Sequence, residues 1–504
     1  MIRGPAAVAA VVLAVTLSGC LGGDDEPGSA QEGGAAYVAL GAVPRALDPA
    51  LVADETTETA LWLVYTPPLT YRRTEGEGGT ELVPGVARDL PEVSGDGTTY
   101  SLRVRRGLRF SNGRPVRATD VRRSLLRAAA LGTVGRRLFR GVRAIAANDR
   151  TGAVRIHLSD PDPSFPHALG AVQAGVVPAN TPMRDRSERP PPGVGPYRLA
   201  GGRRGDVVDL VRDRDFRLPG VPGGLIDLFR LRAPRSPAAE VEAVTAGRLD
   251  AMTDPPPAAM LPELRSEEGG HYSEHPAIAT RYLAVQAERG PLETPELRQA
   301  LAYAIDKPEA ARRLDGLAEP TCNLLPPDLP GHDEPDACPW GDPDEHPDLL
   351  RAQELVEEAA AEGARITVAA PPGDRPIARL YVETLRQIGL QAAIAAGGGA
   401  DVTLSLARST VPDAAAFLGP LARRVPLVVD PEPLLLADQL ASAVDPDEAA
   451  DLAARLDRQL VEGAVVIPYA GVLEPLLLSA RMDAANCVRV HPVYGIDLSS
   501  LCLR

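Results

Sequence analysis

Lysine is almost missing from this chain. Lys307 is the only one among 504 residues, so arginine carries nearly all of the positive charge. Aromatic residues make up 4% of the chain, with two Trp and six Phe, which leaves little material for a site built on stacked rings. A net charge of −15 at pH 7 argues against nucleic acid as a partner, because such proteins present basic surfaces to phosphate. Beyond the N-terminus no stretch approaches the ~20 apolar residues that a membrane-spanning helix needs. The local signatures of common enzymes are missing too: there is no GxSxG, HExxH, phosphate-binding loop, or GxGxxG between strand and helix. We therefore expect neither an enzyme nor a bound cofactor. His271 and His275 stand four apart, but Pro276 and the run HYSEHP read as a loop rather than a metal site. The acidic stretch DEPDACPWGDPDEHPD (333–348) lacks EF-hand spacing and reads as a solvated loop.

What is present starts at the N-terminus. Arg3 precedes a short apolar run, Pro5 to Leu17, followed by Leu17-Ser18-Gly19-Cys20. A run this short reads as a signal peptide (1–19), and the small residues before Cys20 resemble the lipobox of bacterial lipoproteins. The expectation is a lipid on Cys20, a flexible tether over 20–36, and a protein held on the outer face of the cell membrane by that lipid alone. Four further cysteines form two local pairs. Disulfides Cys322–Cys338 and Cys487–Cys502 are the simplest of the three connectivities four cysteines allow; with no CxxC, zinc is not favoured. Between Arg103 and Arg143 stand thirteen Arg and a single acid, Asp120, read here as the solvated surface of an arginine-rich composition.

Removing nineteen residues leaves a length that suggests about three units at ~150 residues each. Alternation marks strands at TTYSLRVRRGLRF, AVRIHL (153–158), YRL, VVDLVR (207–212), IDLFRLR (226–232), ATRYLAVQ (279–286), ARITVAA, ADVTLSL (400–406) and VVIPYAGV. Helical periodicity marks 56–65, a helix capped at Thr119-Asp120, the stretch PELRQALAYAIDKPEAARRL, 349–361, 377–388 and 447–461. Residues 178–196 and 320–347 are Pro-rich and irregular. Strand and helix alternate, which predicts an α/β fold with a mostly parallel sheet.

The densest motif run is LVPGVARDLPEVSGDGTTYSLRVRRGLRFSNGRPVRATDVRRSL (82–125). PRALDPA (44–50), VYTPPLTY (64–71), GVGPYRL (193–199), LETPELRQALAYAIDK (292–307) and VVIPYA (465–470) accompany it in order. From about Tyr37 to about Val493 the chain thus resembles the family 5 extracellular solute-binding proteins, which serve peptide, oligopeptide and nickel importers. The resemblance implies a two-lobed periplasmic-binding-protein-like fold of type II with a subdomain inserted in lobe I. Placed on this sequence, lobe I holds 37–55, 190–282 and 460–504, the insert 56–189, and lobe II 283–459. It also implies a monomer that closes on a small solute, a peptide or other polar molecule, and passes it to the permease and ATPase of an ABC importer.

In peptide-binding relatives a lobe II strand is followed by a segment whose first aspartate pairs with the peptide ammonium. Here ADVTLSLARSTVPDAAAFLGPL (400–421) aligns with it and Thr410 stands at that place. Thr410 supplies no charge, so free-amine peptides are not expected, and Arg408 is available to a carboxylate or phosphate. The candidate ligand-binding residues are Arg408, Ser409, Thr410 and Asp413. The competing reading is a solute-binding-like lipoprotein that kept the fold and lost transport.

Overall fold

The computed structural model describes residues 31–504 apart from 234–235, 267–270, 334–337, 396–398 and 410; the leader and Cys20 lie outside the described residues. Two long strands, Tyr272–Val285 and Val466–Leu478, pair antiparallel in the middle of an eleven-stranded sheet. To one side lie Ala251–Met252, Ala35–Ala39, Leu228–Arg232, Val207–Arg212 and Tyr197–Leu199. To the other lie Val402–Arg408, Arg365–Ala369 and Gln391–Ile394, while Ala318–Pro320 joins the second long strand. A separate antiparallel sheet runs Glu92–Val93, Thr99–Arg103, Ala153–Leu158, Val142–Asn148.

The expected mostly parallel sheet is corrected. Pairing is parallel only in the wings, at Ala35–Ala39 and Arg365–Ala369 with their neighbours. The centre is antiparallel, because both long strands run from one half of the molecule into the other in opposite directions. A second correction concerns HYSEHP: Tyr272 to Pro276 belong to the first long strand. Proline is tolerated there because the ladder breaks just beyond it, the register shifting between Pro276↔Leu473 and Thr280↔Gly471. The stretch 295–312 is two helices, Pro295–Tyr303 and Lys307–Arg312, since Ala304 ends one and Asp306 caps the other. The folded body also begins before residue 37: Gln31 bridges to Leu503, and Ala35 and Ala36 lie in a strand.

Local chemistry explains most element starts. Asp54 caps Glu55–Trp62 by accepting from the Thr57 amide at 2.9 Å. Asp445 caps Pro446–Glu462, with Pro446 at the position where its missing N–H costs nothing. The helix Ala118–Leu131 starts just before the expected cap, with Asp120 accepting from the Arg117 amide at 2.8 Å. In AVRIHL, Val154, Ile156 and Leu158 are buried while Arg155 and His157 are exposed, the alternation of a strand with one solvated face.

Several cores result. One gathers Ala36 and Val38 of the first strand with Trp62, Phe229, Leu476 and Leu501. A second lies under the four-stranded sheet around Tyr100, Leu125, Ile156 and Phe165. Two more flank the other half of the large sheet, around Leu301, Tyr381 and Val402 and around Phe417, Leu456 and Val466. A buried ion pair, Arg127–Asp48 at 2.6 Å, ties the helix Ala118–Leu131 to the loop before Pro49. Burial raises the Asp48 pKa although Arg127 and two backbone amides work against it. Disulfides join Cys322 to Cys338 and Cys487 to Cys502.

Asp457 is buried beneath the first disulfide loop, accepting from the Leu324 and Leu325 amides at 2.9 and 3.3 Å through one oxygen. Burial pushes its pKa up to about 7, against those two amides. The folded state thus holds this proton more tightly than the unfolded chain, in which Asp titrates near ~3.9. Its stabilisation is full below that value and is lost as pH rises through about 7. Asp457→Asn keeps the accepting oxygen. It is expected to match the parent at about pH 4 and to exceed it by roughly 1–3 kcal/mol at about pH 8, read by urea unfolding.

Candidate functional site

Two cavities meet at Val472 and Leu473 of the second long strand. The smaller, of about 350 Å³, lies where three parts of the chain converge: the turn after Ala35–Ala39, the start of Glu55–Trp62, and the end of Val402–Arg408. The larger, of about 670 Å³, opens between both long strands and the loop held by Cys322–Cys338.

Arg408 ends its strand, paired with Ala279 across the sheet. Its guanidinium does not face an empty anion site. It pairs with Glu55 from the opposite side of the gap and with Glu474 of the long strand at 3.3 Å. Burial disfavours the charge on Arg408, but Glu55 and Glu474 outweigh it and hold its pKa above the ordinary value. Burial raises the Glu474 pKa, and Arg408 opposes that shift. Across the cavity, burial also raises the pKa of Asp254, against its hydrogen bonds with the Glu240 side chain and the Gly41 backbone. Gly41 sits beside it with φ +36°, where a Cβ would stand 3.4 Å from Asp254 Oδ1. His275 lies 2.8 Å from Ser273 Oγ, and burial lowers its pKa against the pull of Glu75.

The other expected site residues have local duties. Ser409 Oγ donates to the Val411 carbonyl at 2.7 Å and accepts from the Val411 amide. Asp413 caps Ala414–Ala422, accepting from Ala415 at 2.8 Å. Its charge is felt at His167, whose pKa burial lowers and Asp413 and Asp162 raise. Thr410 lies outside the described residues. The larger cavity presents Asn323, His332, Glu319, Asp342 and Asp344. His332 Nδ1 stands 2.7 Å from the Leu325 carbonyl and so donates to it, leaving Nε2 as the free ring nitrogen.

Glu55 and Glu474 were not among the expected residues. Glu55 reads in the sequence only as an acid in a first helical turn, and its partner is 353 residues away. Nothing in the pattern of either segment announces that contact.

Residues 81–417 match the family model for bacterial extracellular solute-binding proteins, family 5. Among curated proteins, the glutathione-binding protein GsiB of Shigella flexneri is 24% identical over 313 residues, 60% of this chain. The same protein of Escherichia coli K12 matches over the same length at 24%. The chain spans 59% of the length of these relatives. Among solved structures, clavulanic acid biosynthesis oligopeptide binding protein 2 superposes with a TM-score of 0.82 at 23% identity, covering 94% of this chain and 96% of that one. HbpA2 from Haemophilus parasuis gives 0.81 at 18%, covering 94% and 100%. A nickel ABC transporter protein from Bacillus halodurans gives 0.76 at 20%, covering 93% and 100%. These likenesses establish a two-lobed binding-protein fold.

The Arg408 pairs are part-exposed, with side chains 33% to 55% accessible, so their loss is expected to cost under ~1 kcal/mol of stability. Their position predicts a different effect. Arg408→Ala should melt close to the parent yet show a larger radius of gyration in small-angle scattering as the two sides part. An unchanged radius would show that this contact holds nothing together.

Proposed function

The chain belongs to the family 5 bacterial extracellular solute-binding proteins, and we propose that it captures a small polar solute between two lobes and delivers it to an importer's permease and ATPase. The observation that carries this reading is the pair of cavities beside the long strands, the smaller of them spanned by the Arg408–Glu55 pair. Lobe I comprises 37–55, 190–282 and 460–504, with 56–189 inserted, and lobe II comprises 283–459. The separate cores on either side of the long strands support that division. Among the described residues only those two strands carry the large sheet from one side to the other, so bending at their register break is the available closing motion. A solute that touches both sides favours the closed form by its extra contacts there, and its affinity is expressed as that population shift.

The protein works outside the cytoplasm, on a lipid carried by Cys20 after removal of residues 1–19. The sequence Leu17-Ser18-Gly19-Cys20 supports this. Mass spectrometry of the membrane fraction should find Cys20 as the modified first residue, and Cys20→Ser should release the protein into the soluble fraction. Retention of the serine variant on the membrane would sink the anchoring.

The receptor reading is tested by thermal melts of the purified protein with dipeptides, N-blocked peptides, oligosaccharides, carboxylates and nickel chelates. A true solute at 100 times its dissociation constant should stabilise the fold by ~2.7 kcal/mol. A flat response from folded protein would favour a relative that has lost transport.

A further inference from the structure

Residues 103–155 carry fifteen Arg and no Lys, against two acids, Asp120 and Asp149. The whole chain has 53 basic side chains against 68 acidic ones. An arginine-rich composition does not by itself produce this stretch, because acids are all but excluded from it. Neither acid relieves the excess. Asp120 is buried and accepts from the Arg117 and Ala179 amides at 2.8 and 2.7 Å. Asp149 accepts from the Thr119 amide and hydroxyl at 2.9 and 3.0 Å. Of the fifteen, Arg127 alone has a carboxylate partner among the described residues, the buried Asp48.

Much of the excess gathers at one corner of the four-stranded sheet. Val142–Asn148 is the outermost strand there. Arg122 lies along it, its Nε donating to the Ile145 carbonyl at 2.8 Å. Arg137 and Arg140 flank the end of the short helix Thr133–Leu138, which leads into this strand, and Arg143 stands at its start. Arg155, opposite Ala146 on the neighbouring strand, alternates with the buried Val154 and Ile156. All five arginines are exposed. Charges beside an edge strand deter pairing with other chains, but either sign does that. It does not explain why carboxylates are missing from helix, strand and turn alike. Neither cavity described above takes a residue from 103–155. The basic groups lie on open surface, which suits an extended anionic face rather than one small anion.

The N-terminal end of the folded body leaves beside this unit. The Gly33 amide donates to the Leu225 carbonyl at 2.8 Å, and the Asp227 amide to the Gly34 carbonyl at 3.1 Å. Just upstream, Phe216, Leu218 and Val221 are buried in the core under the four-stranded sheet. Val221 and Leu225 are four residues apart, at most ~14 Å. Cys20 precedes Gln31 by eleven residues, no more than ~40 Å of chain. At physiological salt, charges farther than ~8 Å are largely screened, so acids elsewhere on the protein do not cancel this corner at close approach.

We propose that the arginine corner docks on the anionic headgroups of the membrane that carries the Cys20 lipid. The proposal rests on that anchor for proximity and is independent of the solute. Each arginine near the surface adds attraction to anionic lipid, and the anchor keeps the corner at high local concentration. Without the anchor the attraction is weak and salt-labile, so Cys20→Ser protein is still released at physiological salt.

The test is co-sedimentation of purified Cys20→Ser protein lacking residues 1–19 with vesicles in low-salt buffer. Binding is expected to vesicles of equal parts phosphatidylglycerol and phosphatidylcholine, and not to phosphatidylcholine alone. It should vanish as salt approaches ~1 M. Arg137→Gln/Arg140→Gln/Arg143→Gln removes three exposed side chains without a partner among the described residues, and should bind at least ~10-fold more weakly. Arg365→Gln/Arg375→Gln/Arg379→Gln removes the same charge from exposed arginines elsewhere and should bind as the parent does. No binding to either vesicle, equal binding to both, or an equal loss in the two triple variants overturns the proposal. Self-association at low salt without vesicle binding also overturns it, and assigns the corner to the acidic surface of a second copy. An unmodified Cys20 in the membrane fraction would remove the anchor instead, a failure that the vesicle measurement does not share.

Discussion

The antiparallel pairing of Tyr272–Val285 with Val466–Leu478 is the constraint on which the rest of the molecule hangs. Every wing of the large sheet attaches to one of these two strands, and each half of the protein packs its own core against its own stretch of them. The pairing is continuous enough to hold two halves together and interrupted enough to bend. Between Pro276↔Leu473 and Thr280↔Gly471 the ladder gives up its register, and a proline on one strand removes a donor at the same place. Both cavities open at this interruption rather than elsewhere along the sheet.

Electrostatics at the cleft follow from that placement. Strand ends and helix starts that meet beside the break bring charges from distant parts of the chain into partial burial. Glu55 enters as an acid in the first turn of a helix, where the dipole favours it. Arg408 enters as the last residue of a strand. Neither stands out in its own stretch of sequence; together they set one guanidinium among a group of acids. The raised pKa of Glu474 shows that this one cation does not fully offset burial.

Much of the fold is legible in the sequence because it rests on short-range chemistry. Apolar spacing announces the helices near 56–65, 349–361 and 447–461, and AVRIHL and ARITVAA announce strands by alternation. The failures share a different cause. HYSEHP looks like a loop because Pro276 penalises a strand, and only the partner strand makes the register break that accommodates it. The helix Ala414–Ala422 contains Pro420, and its run of alanines gives no apolar stripe to read; Glu432–Ser442 beside it escapes a reading by periodicity as well. The segment around Arg408 is found by its likeness to a family motif, but the motif does not carry its chemistry. That chemistry depends on Glu55, and a pairing across 353 residues leaves no local trace.

The first described residue, Gln31, pairs with Leu503, and Met482 pairs with Leu503 as well, close to where the Asp483 amide donates to the Cys502 carbonyl and the second disulfide closes. Mechanical load arriving from upstream therefore enters and is absorbed within one covalently pinned corner. Neither the break in the long strands nor the cavities beside it lies on that load path. A protein held from that end keeps its other half unburdened, free to swing while its fixed half stays put.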